Sequence, residues 1–157
     1  MEIVESMNTG SQLQSSNVNP EIVVTDTVDE QMRAVIANGL DDFNDEVIGY
    51  GDRKALAVVI KDAVSGKTVG GALGRSSLGL LFLDLFYLPQ SLRGSGLGTQ
   101  ILNAFEEEGR KRGCCSAVLY TLSFQAPQFY ERNGWRIFGD IPCHPDGTSR
   151  VFLTKLL

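Results

Sequence analysis

The sequence has little of what metal centres, disulfide scaffolds and membrane spans require. It contains three cysteines and one histidine in 157 residues. Cys114 and Cys115 are adjacent and Cys143 stands apart, which favours reduced thiols over a disulfide framework. No run of about eighteen apolar residues occurs and the N-terminus is polar, so neither a spanning helix nor a secretory signal is indicated. We therefore predict a cytoplasmic chain with no metal and no membrane partner.

Positive charge is also scarce. The net charge is -5 and the sequence pI is 4.8, whereas a nucleic-acid partner requires a broad basic surface. We therefore predict no nucleic-acid partner. The length and a hydrophobic content of 43% suit one domain with a sizeable core. Residues 1–20 are rich in Ser, Asn and Gln and predict a disordered tail, which leaves residues 21–157 as a single domain.

The sequence does contain a glycine-rich turn between an apolar run and a helical segment. Arg93-Gly94-Ser95-Gly96-Leu97-Gly98-Thr99 follows the strand-like Leu78–Leu88 and precedes Gln100–Arg112. Glycines leave the backbone amides open to a ligand, and a helix N-terminus adds the positive end of its dipole. The first helical turn carries no carboxylate, and Arg93 adds a positive charge. The turn therefore predicts a site for a phosphate-like anion.

Two common phosphate-binding turns match this stretch poorly. A P-loop is excluded because no Gly-Lys-Ser/Thr follows the glycines. A dinucleotide fingerprint requires a third glycine where Thr99 stands, and an acidic residue where Thr121 closes the next strand.

The N-terminal third predicts one strand followed by helical segments. Glu21–Thr25 is rich in β-branched residues and is predicted to form a strand. Asp26 or Thr27 is then predicted to cap a helix that carries apolar residues at helical spacing. Asn38-Gly39 is expected to break or bend that helix. The acidic stretch Asp41–Glu46 is expected to be a solvated connector.

The remainder predicts a meander, the long helix after the glycine turn, and a final strand pair. The predicted strands are 55–60, 68–73, 78–88, 114–120, 135–138 and 150–154, and the predicted helices are 100–112 and 125–132. The buried side of the long helix is marked by Leu97, Ile101, Ala104 and Phe105.

Two linked motifs resemble the GNAT acyltransferase superfamily. Arg93–Gly98 matches the pyrophosphate-loop pattern Arg/Gln-x-x-Gly-x-Gly/Ala, and Phe124–Trp135 contains the pattern Ala-x-x-Phe-Tyr-x-x-x-Gly-Trp. The resemblance covers about Ile22–Leu157. It implies an α/β (α+β) fold with a mixed, mostly antiparallel central sheet, a V-shaped split between two strands, and helices on both faces.

The resemblance further implies that the chain is an N-acetyltransferase with acetyl-CoA as its co-substrate. The pyrophosphate would bind the glycine turn, and the pantetheine arm would enter the split. The cofactor-binding residues implied in this way are Phe86, Tyr87, Leu88, Arg93, Gly94, Ser95, Gly96, Leu97, Gly98, Thr99 and Gln125.

Acetyl transfer to an amine requires a proton to reach the CoA sulfur and another to leave the amine. Tyr130 matches the family's general-acid tyrosine, and its neighbour Phe129 is expected to be core. No motif marks the base. Asp84 is our catalytic candidate, while Glu131 and His144 remain alternatives, either directly or through a water.

We therefore predict acetyl transfer to a primary amine of a small cationic molecule, by direct attack in a ternary complex. The cationic preference rests on the acidic stretch Asp41–Glu46, because the family places this segment at one wall of the acceptor site. Two alternatives stay open: a protein lysine or N-terminal acetyltransferase, and a non-catalytic acyl-CoA sensor module. A homodimer is included among the expected partners.

Overall fold

The computed structural model describes residues 19–157. The chain divides into two compact units, with the boundary between Gly39 and Leu40. The helices and strands of the described residues are α1 (Glu30–Ile48), β1 (Lys54–Lys61), β2 (Thr68–Ser77), β3 (Leu80–Tyr87), α2 (Leu97–Lys111), β4 (Ser116–Leu122), α3 (Pro127–Arg132), β5 (Arg136–Cys143) and β6 (Thr148–Leu156). The predicted tail, residues 1–20, lies almost wholly outside the described residues.

In the first unit, the predicted strand at Glu21–Thr25 is wrong. These residues form no strand, and Ile22 and Val24 are more than nine-tenths exposed. Their β-branched side chains favour extended backbone, but an extended segment is stable only when a neighbouring strand accepts its hydrogen bonds. The helix also begins later than predicted, because Asp29 caps it by accepting a hydrogen bond of 2.7 Å from the Met32 amide.

The predicted break at Asn38-Gly39 is wrong as well. Helix α1 runs without interruption from Glu30 to Ile48. A glycine inside a helix costs only about 1 kcal/mol relative to alanine, which the many backbone hydrogen bonds of a long helix offset. The acidic stretch Asp41–Glu46 therefore lies on helical turns of α1 and is not a connector.

The second unit holds a six-stranded sheet in the order β1-β2-β3-β4-β6-β5. Only β3 and β4 are parallel, and all other neighbours are antiparallel. The mixed, mostly antiparallel sheet is thus confirmed, together with the final strand pair β5 and β6. Parallel pairing links Leu80–Leu83 to Ser116–Leu119 and stops there, although both strands continue. This divergence is the predicted V-shaped split.

A β-bulge in β3 lies where the split begins. The register between β2 and β3 shifts between Leu73 and Gly74, so that Asp84 is the extra residue between Leu83 and Leu85. A bulge bends its strand and increases the local twist. Because the bulge follows Leu83 directly, the bend accounts for the loss of pairing between β3 and β4 beyond that residue.

The core lies between the sheet and α2, which packs on β1 and β2. Leu81, Leu102, Phe105, Ala117 and Leu153 are fully buried. A side chain at Gly74 would strike the Phe82 carbonyl and the Phe105 ring, so glycine is required where α2 approaches β2. Ile101 and Phe105 are buried as predicted, whereas Ala104 is exposed and Leu102 takes its place. Among residues 19–157, no helix is both long and apolar enough to span a bilayer.

Candidate active site

A cleft of about 1010 Å³ opens at the split between β3 and β4. Nine of the eleven predicted cofactor-binding residues line it, and Ser95 and Leu97 of the same turn do not. Tyr130 also lines it, so the structure brings the glycine turn and the predicted acid into one site. The lining residues that sequence reasoning missed are Thr121, Phe124, Ala126, Phe129, Arg132 and Asn133.

The glycine turn presents unpaired backbone amides to the cleft. Gly96 is the N-cap of α2 and has a φ of 82°, and Gly94 has a φ of 79°. These left-handed conformations favour glycine and curve the chain around an open space. The hydrogen bond from the Gln100 amide to the Gly96 carbonyl, at 3.1 Å, opens the α2 ladder. The Arg93 amide donates to the Gln90 carbonyl at 3.2 Å, whereas the amides of Gly94–Thr99 have no backbone partner among the described residues and are free to bind an anion.

The charges around this helix end also suit an anion. The first turn of α2 contains no acidic residue, and no side chain caps it. Arg93 is held in place because its Nε donates to the Leu88 carbonyl at 2.8 Å, which leaves its Nη atoms available at the cleft. The residues present thus fit the pyrophosphate of acetyl-CoA, which needs amide donors and positive charge at a backbone without Cβ atoms.

Gln125 holds the end of β4, in the part of that strand that is no longer paired with β3. Its Oε1 accepts hydrogen bonds from the Thr121 hydroxyl at 2.9 Å and from the Leu122 amide at 3.0 Å. The side-chain oxygen is thereby occupied on the protein side, and the amide nitrogen remains as a donor for a ligand in the cleft. This arrangement suits the predicted cofactor-binding role of Gln125.

Tyr130 is buried in an aromatic cluster at the side of the cleft. It is 7% exposed, and its ring meets those of Phe86, Phe129 and Trp135 at centroid distances of 6.4, 5.1 and 6.1 Å. Burial raises the pKa of Tyr130 to about 12, because the phenolate loses its hydration there. The phenol is therefore protonated at neutral pH and can donate a proton.

Phe129 is not confined to the core, contrary to our expectation. It is half-buried and lines the cleft beside Tyr130, with its ring 5.8 Å from that of Phe86. Two consecutive residues of a helix differ in direction by about 100°. In the short helix α3, which lies along the cleft, that angle still allows both side chains to reach it.

The structure does not bring the base candidates into the cleft lining. Both carboxylate oxygens of Asp84 lie 2.6 Å from Nη1 of Arg75, and Asp84 is not among the residues that line the cleft. Glu131 is exposed on α3, and the side chain of His144 is 95% exposed in the turn between β5 and β6. A base role for Asp84 stays a prediction, and this geometry would require a water between its carboxylate and the amine.

The acidic stretch is partly neutralised by a neighbouring arginine. Arg53 contacts Asp41 at 3.1 Å and Asp45 at 2.5 Å, and its pKa is raised, first by the hydrogen bond to Asp45. Asp42 and Glu46 are exposed, one turn apart on α1. Only these two carboxylates of the stretch are therefore available to attract a cation.

Comparisons with known proteins relate this chain to acetyltransferases. Residues 43–137 match the family model of the acetyltransferase (GNAT) domain. An acetyltransferase of Agrobacterium fabrum is 32% identical over 133 residues, which cover 85% of this chain and 96% of that protein. The blasticidin-S acetyltransferase of Streptomyces morookaense is 36% identical over 93 residues, which cover 59% of this chain and 68% of that protein.

A solved structure shows a similar fold over most of the chain. The crystal structure of an Agrobacterium tumefaciens protein, assigned as an acetyltransferase, aligns with a TM-score of 0.82 and 30% identity. The alignment covers 88% of this chain and all of that one. The glycine turn, the split sheet, the matched domain and these relatives lead to one conclusion. The chain belongs to the GNAT family and is an acetyl-CoA-dependent N-acetyltransferase.

Proposed function

We propose that this enzyme acetylates a primary amine of a small cationic molecule by direct attack in a ternary complex. The observation that carries the proposal is the shared cleft, which the anion-binding turn at the N-terminus of α2 and the phenol of Tyr130 both line. Support for the acceptor class comes from the blasticidin-S acetyltransferase, whose name gives a small molecule as its acceptor. The homodimer and the cytoplasmic location stay predictions.

The roles of the chain's residues follow from their positions. The amides of Gly94–Thr99 and the guanidinium of Arg93 hold the pyrophosphate, and Phe86–Leu88 form the wall for the pantetheine arm. Gln125 donates from its amide nitrogen. When bound, acetyl-CoA supplies an activated acyl group on a sulfur that must leave as a thiol.

Tyr130 supplies the proton that this departure requires. The amine nitrogen forms a bond to the acyl carbon, the carbon–sulfur bond breaks, and the phenol protonates the sulfur. The second proton leaves the amine to a base or to water, so that charge and atoms balance over one turnover. Tyr130 is then restored by a proton from solvent through the open cleft.

The raised pKa of Tyr130 gives an expected pH profile. An acid catalyst is active while it is protonated, so activity that depends on Tyr130 is full below its pKa and falls only as the pH approaches 12. An ordinary tyrosine, with a pKa of about 10, would already be half ionised at pH 10. We therefore expect kcat/KM for acetyl-CoA to show no descending limb between pH 7 and 10.

The measurement is an initial-rate series across that range, with the melting temperature at pH 10 as a control for folding. A decline centred near pH 9 in a folded enzyme would contradict a buried phenol as the acid.

The acceptor class is tested with an amine panel assayed for CoA release. The panel contains a polyamine, an aminoglycoside, glutamate and a lysine-containing peptide. We expect kcat/KM for the two polycations to exceed that for glutamate by about tenfold or more at low salt. The expectation rests on the family resemblance, which puts the acidic stretch Asp41–Glu46 at one wall of the acceptor site. There the exposed carboxylates Asp42 and Glu46 raise the local concentration of cations, an attraction that salt weakens and that fades beyond a Debye length of about 8 Å at physiological salt.

The matched variant is Asp42→Asn with Glu46→Gln, which leaves the pairs of Arg53 intact. It should raise the KM for the polyamine about twofold to fivefold at low salt and have little effect at high salt. Two results together would contradict the proposal of a cationic acceptor. They are a higher kcat/KM for glutamate or for the peptide, and a KM for the polyamine that changes neither with salt nor with the substitutions.

A further inference from the structure

A buried ion pair connects the helix of the cofactor site to the helix that carries Tyr130. Glu106 lies on α2 and is 1% exposed. Its Oε2 accepts a hydrogen bond of 2.6 Å from Nζ of Lys155 on β6, and its Oε1 accepts one of 2.9 Å from Nε1 of Trp135. Arg110 contacts the same carboxylate at 3.5 Å from the surface.

The same groups hold the C-terminal end of α3. Nζ of Lys155 also donates to the Asn133 carbonyl at 2.8 Å. The carbonyl of Tyr130 accepts the amides of Asn133 at 2.9 Å and of Trp135 at 3.1 Å. The indole ring of Trp135, which is 3% exposed, packs edge-on against the Tyr130 ring. The backbone and the ring of Tyr130 are therefore both in contact with residues that the buried pair fixes.

A gain in folding stability does not by itself account for the Glu106–Lys155 ion pair. A buried ion pair often contributes no more to stability than apolar residues of the same volume, because removing both charges from water is costly. α3 has only six residues, so it needs tertiary contacts to stay in place. A rigid, charge-assisted connection is suited to holding such a helix in one position.

We propose that the Glu106–Lys155 pair is a positioning element for Tyr130, which fixes the phenol at the cleft relative to the cofactor bound at the N-terminus of α2. This proposal rests on the role of Tyr130 in the proposed function. Neither residue touches the cleft, so their effect on catalysis passes through Trp135 and Asn133. Loss of the pair should lower kcat and leave the KM for acetyl-CoA nearly unchanged.

The test is a double-mutant cycle between the pair and Tyr130. Glu106→Gln with Lys155→Met removes both charges together, so that no unpaired charge is left buried, and the amide oxygen of the new glutamine can still accept from Trp135. The expected result is a kcat lowered about fivefold to thirtyfold with a melting temperature within a few degrees of the parent. In a Tyr130→Phe background, the same pair of substitutions should change kcat less than twofold.

Glu107→Gln is the matched control, because Glu107 is the exposed neighbour of Glu106 on α2, and it should leave kcat unchanged. If the double variant does not fold, Glu106→Gln alone is judged by the same comparison, because it keeps an acceptor for Trp135 and leaves only the ammonium of Lys155, which is 20% exposed. An equal fall of kcat in both backgrounds, or no fall in either, would overturn the positioning role while Tyr130 remains the acid. Full activity of Tyr130→Phe itself would overturn the proposed function and this proposal with it.

Discussion

Replacing Tyr130 by phenylalanine is expected to lower kcat by roughly tenfold to a thousandfold, the range typical of a lost general acid. The KM for acetyl-CoA should change little. The substitution deletes one hydroxyl and keeps the ring, which packs against Phe86, Phe129 and Trp135 in a site that is 7% exposed. An interaction made only in the transition state affects kcat and kcat/KM together, which is the signature of a lost proton donor.

Tyr120→Phe is the matched control for this substitution. Tyr120 lies on β4, is 58% exposed and does not line the cleft, so the same chemical change there should leave kcat intact. Melting curves of the parent and both variants verify that the fold is unchanged. A Tyr130→Phe enzyme with the kcat of the parent would reduce Tyr130 to a packing residue of the cleft wall.

The second large effect concerns the glycine turn. Acetyl-CoA at a hundred times its Kd should raise the melting temperature by roughly 5–10 °C, because a ligand that binds only the folded state stabilises it by about 2.7 kcal/mol. Gly96→Glu should abolish this shift. A side chain at Gly96 meets no atom within 4 Å, so the new carboxylate fits into the space where the pyrophosphate is expected and repels it.

Gly113→Glu separates this effect from backbone strain. Gly113 follows the other end of α2, has a φ of 81° and is equally open, with no atom within 4 Å of an added Cβ. A glutamate residue introduced at either position should therefore strain the backbone by a similar amount, about 1–2 kcal/mol. We expect the Gly113→Glu variant to melt at a lower temperature than the parent and to keep the full acetyl-CoA shift. A shift lost in both variants, or retained in Gly96→Glu, would contradict the assignment of the turn.

The site was predictable where its parts are local in sequence. The glycine turn, the acid-free start of α2 and the Tyr130 segment each consist of a few consecutive residues whose chemistry is fixed by backbone conformation or by one side chain. The split in the sheet could be anticipated only from the family resemblance. The bulge at Asp84 that accounts for it depends on the pairing of β3 with β2, which no single segment reveals.

The parts that sequence reasoning missed depend on contacts between distant residues. Lys155 and Glu106 are 49 positions apart, and an acidic residue in the middle of a helix is usually solvated. The strand predicted at Glu21–Thr25 failed because strand propensity does not supply a pairing partner. The prediction of a connector at Asp41–Glu46 was wrong because it rested on polar composition, whereas the capping and length of α1 make the stretch helical.

The most direct test of direct acetyl transfer is a two-substrate initial-rate study with acetyl-CoA and the best amine of the panel varied together. A ternary complex predicts intersecting lines in double-reciprocal plots, one CoA released for each acetylated amine, and no acetyl group left on the protein after incubation with acetyl-CoA alone. Parallel lines, together with an acetylated protein that passes its acetyl group to the amine, would show a covalent intermediate and contradict the account.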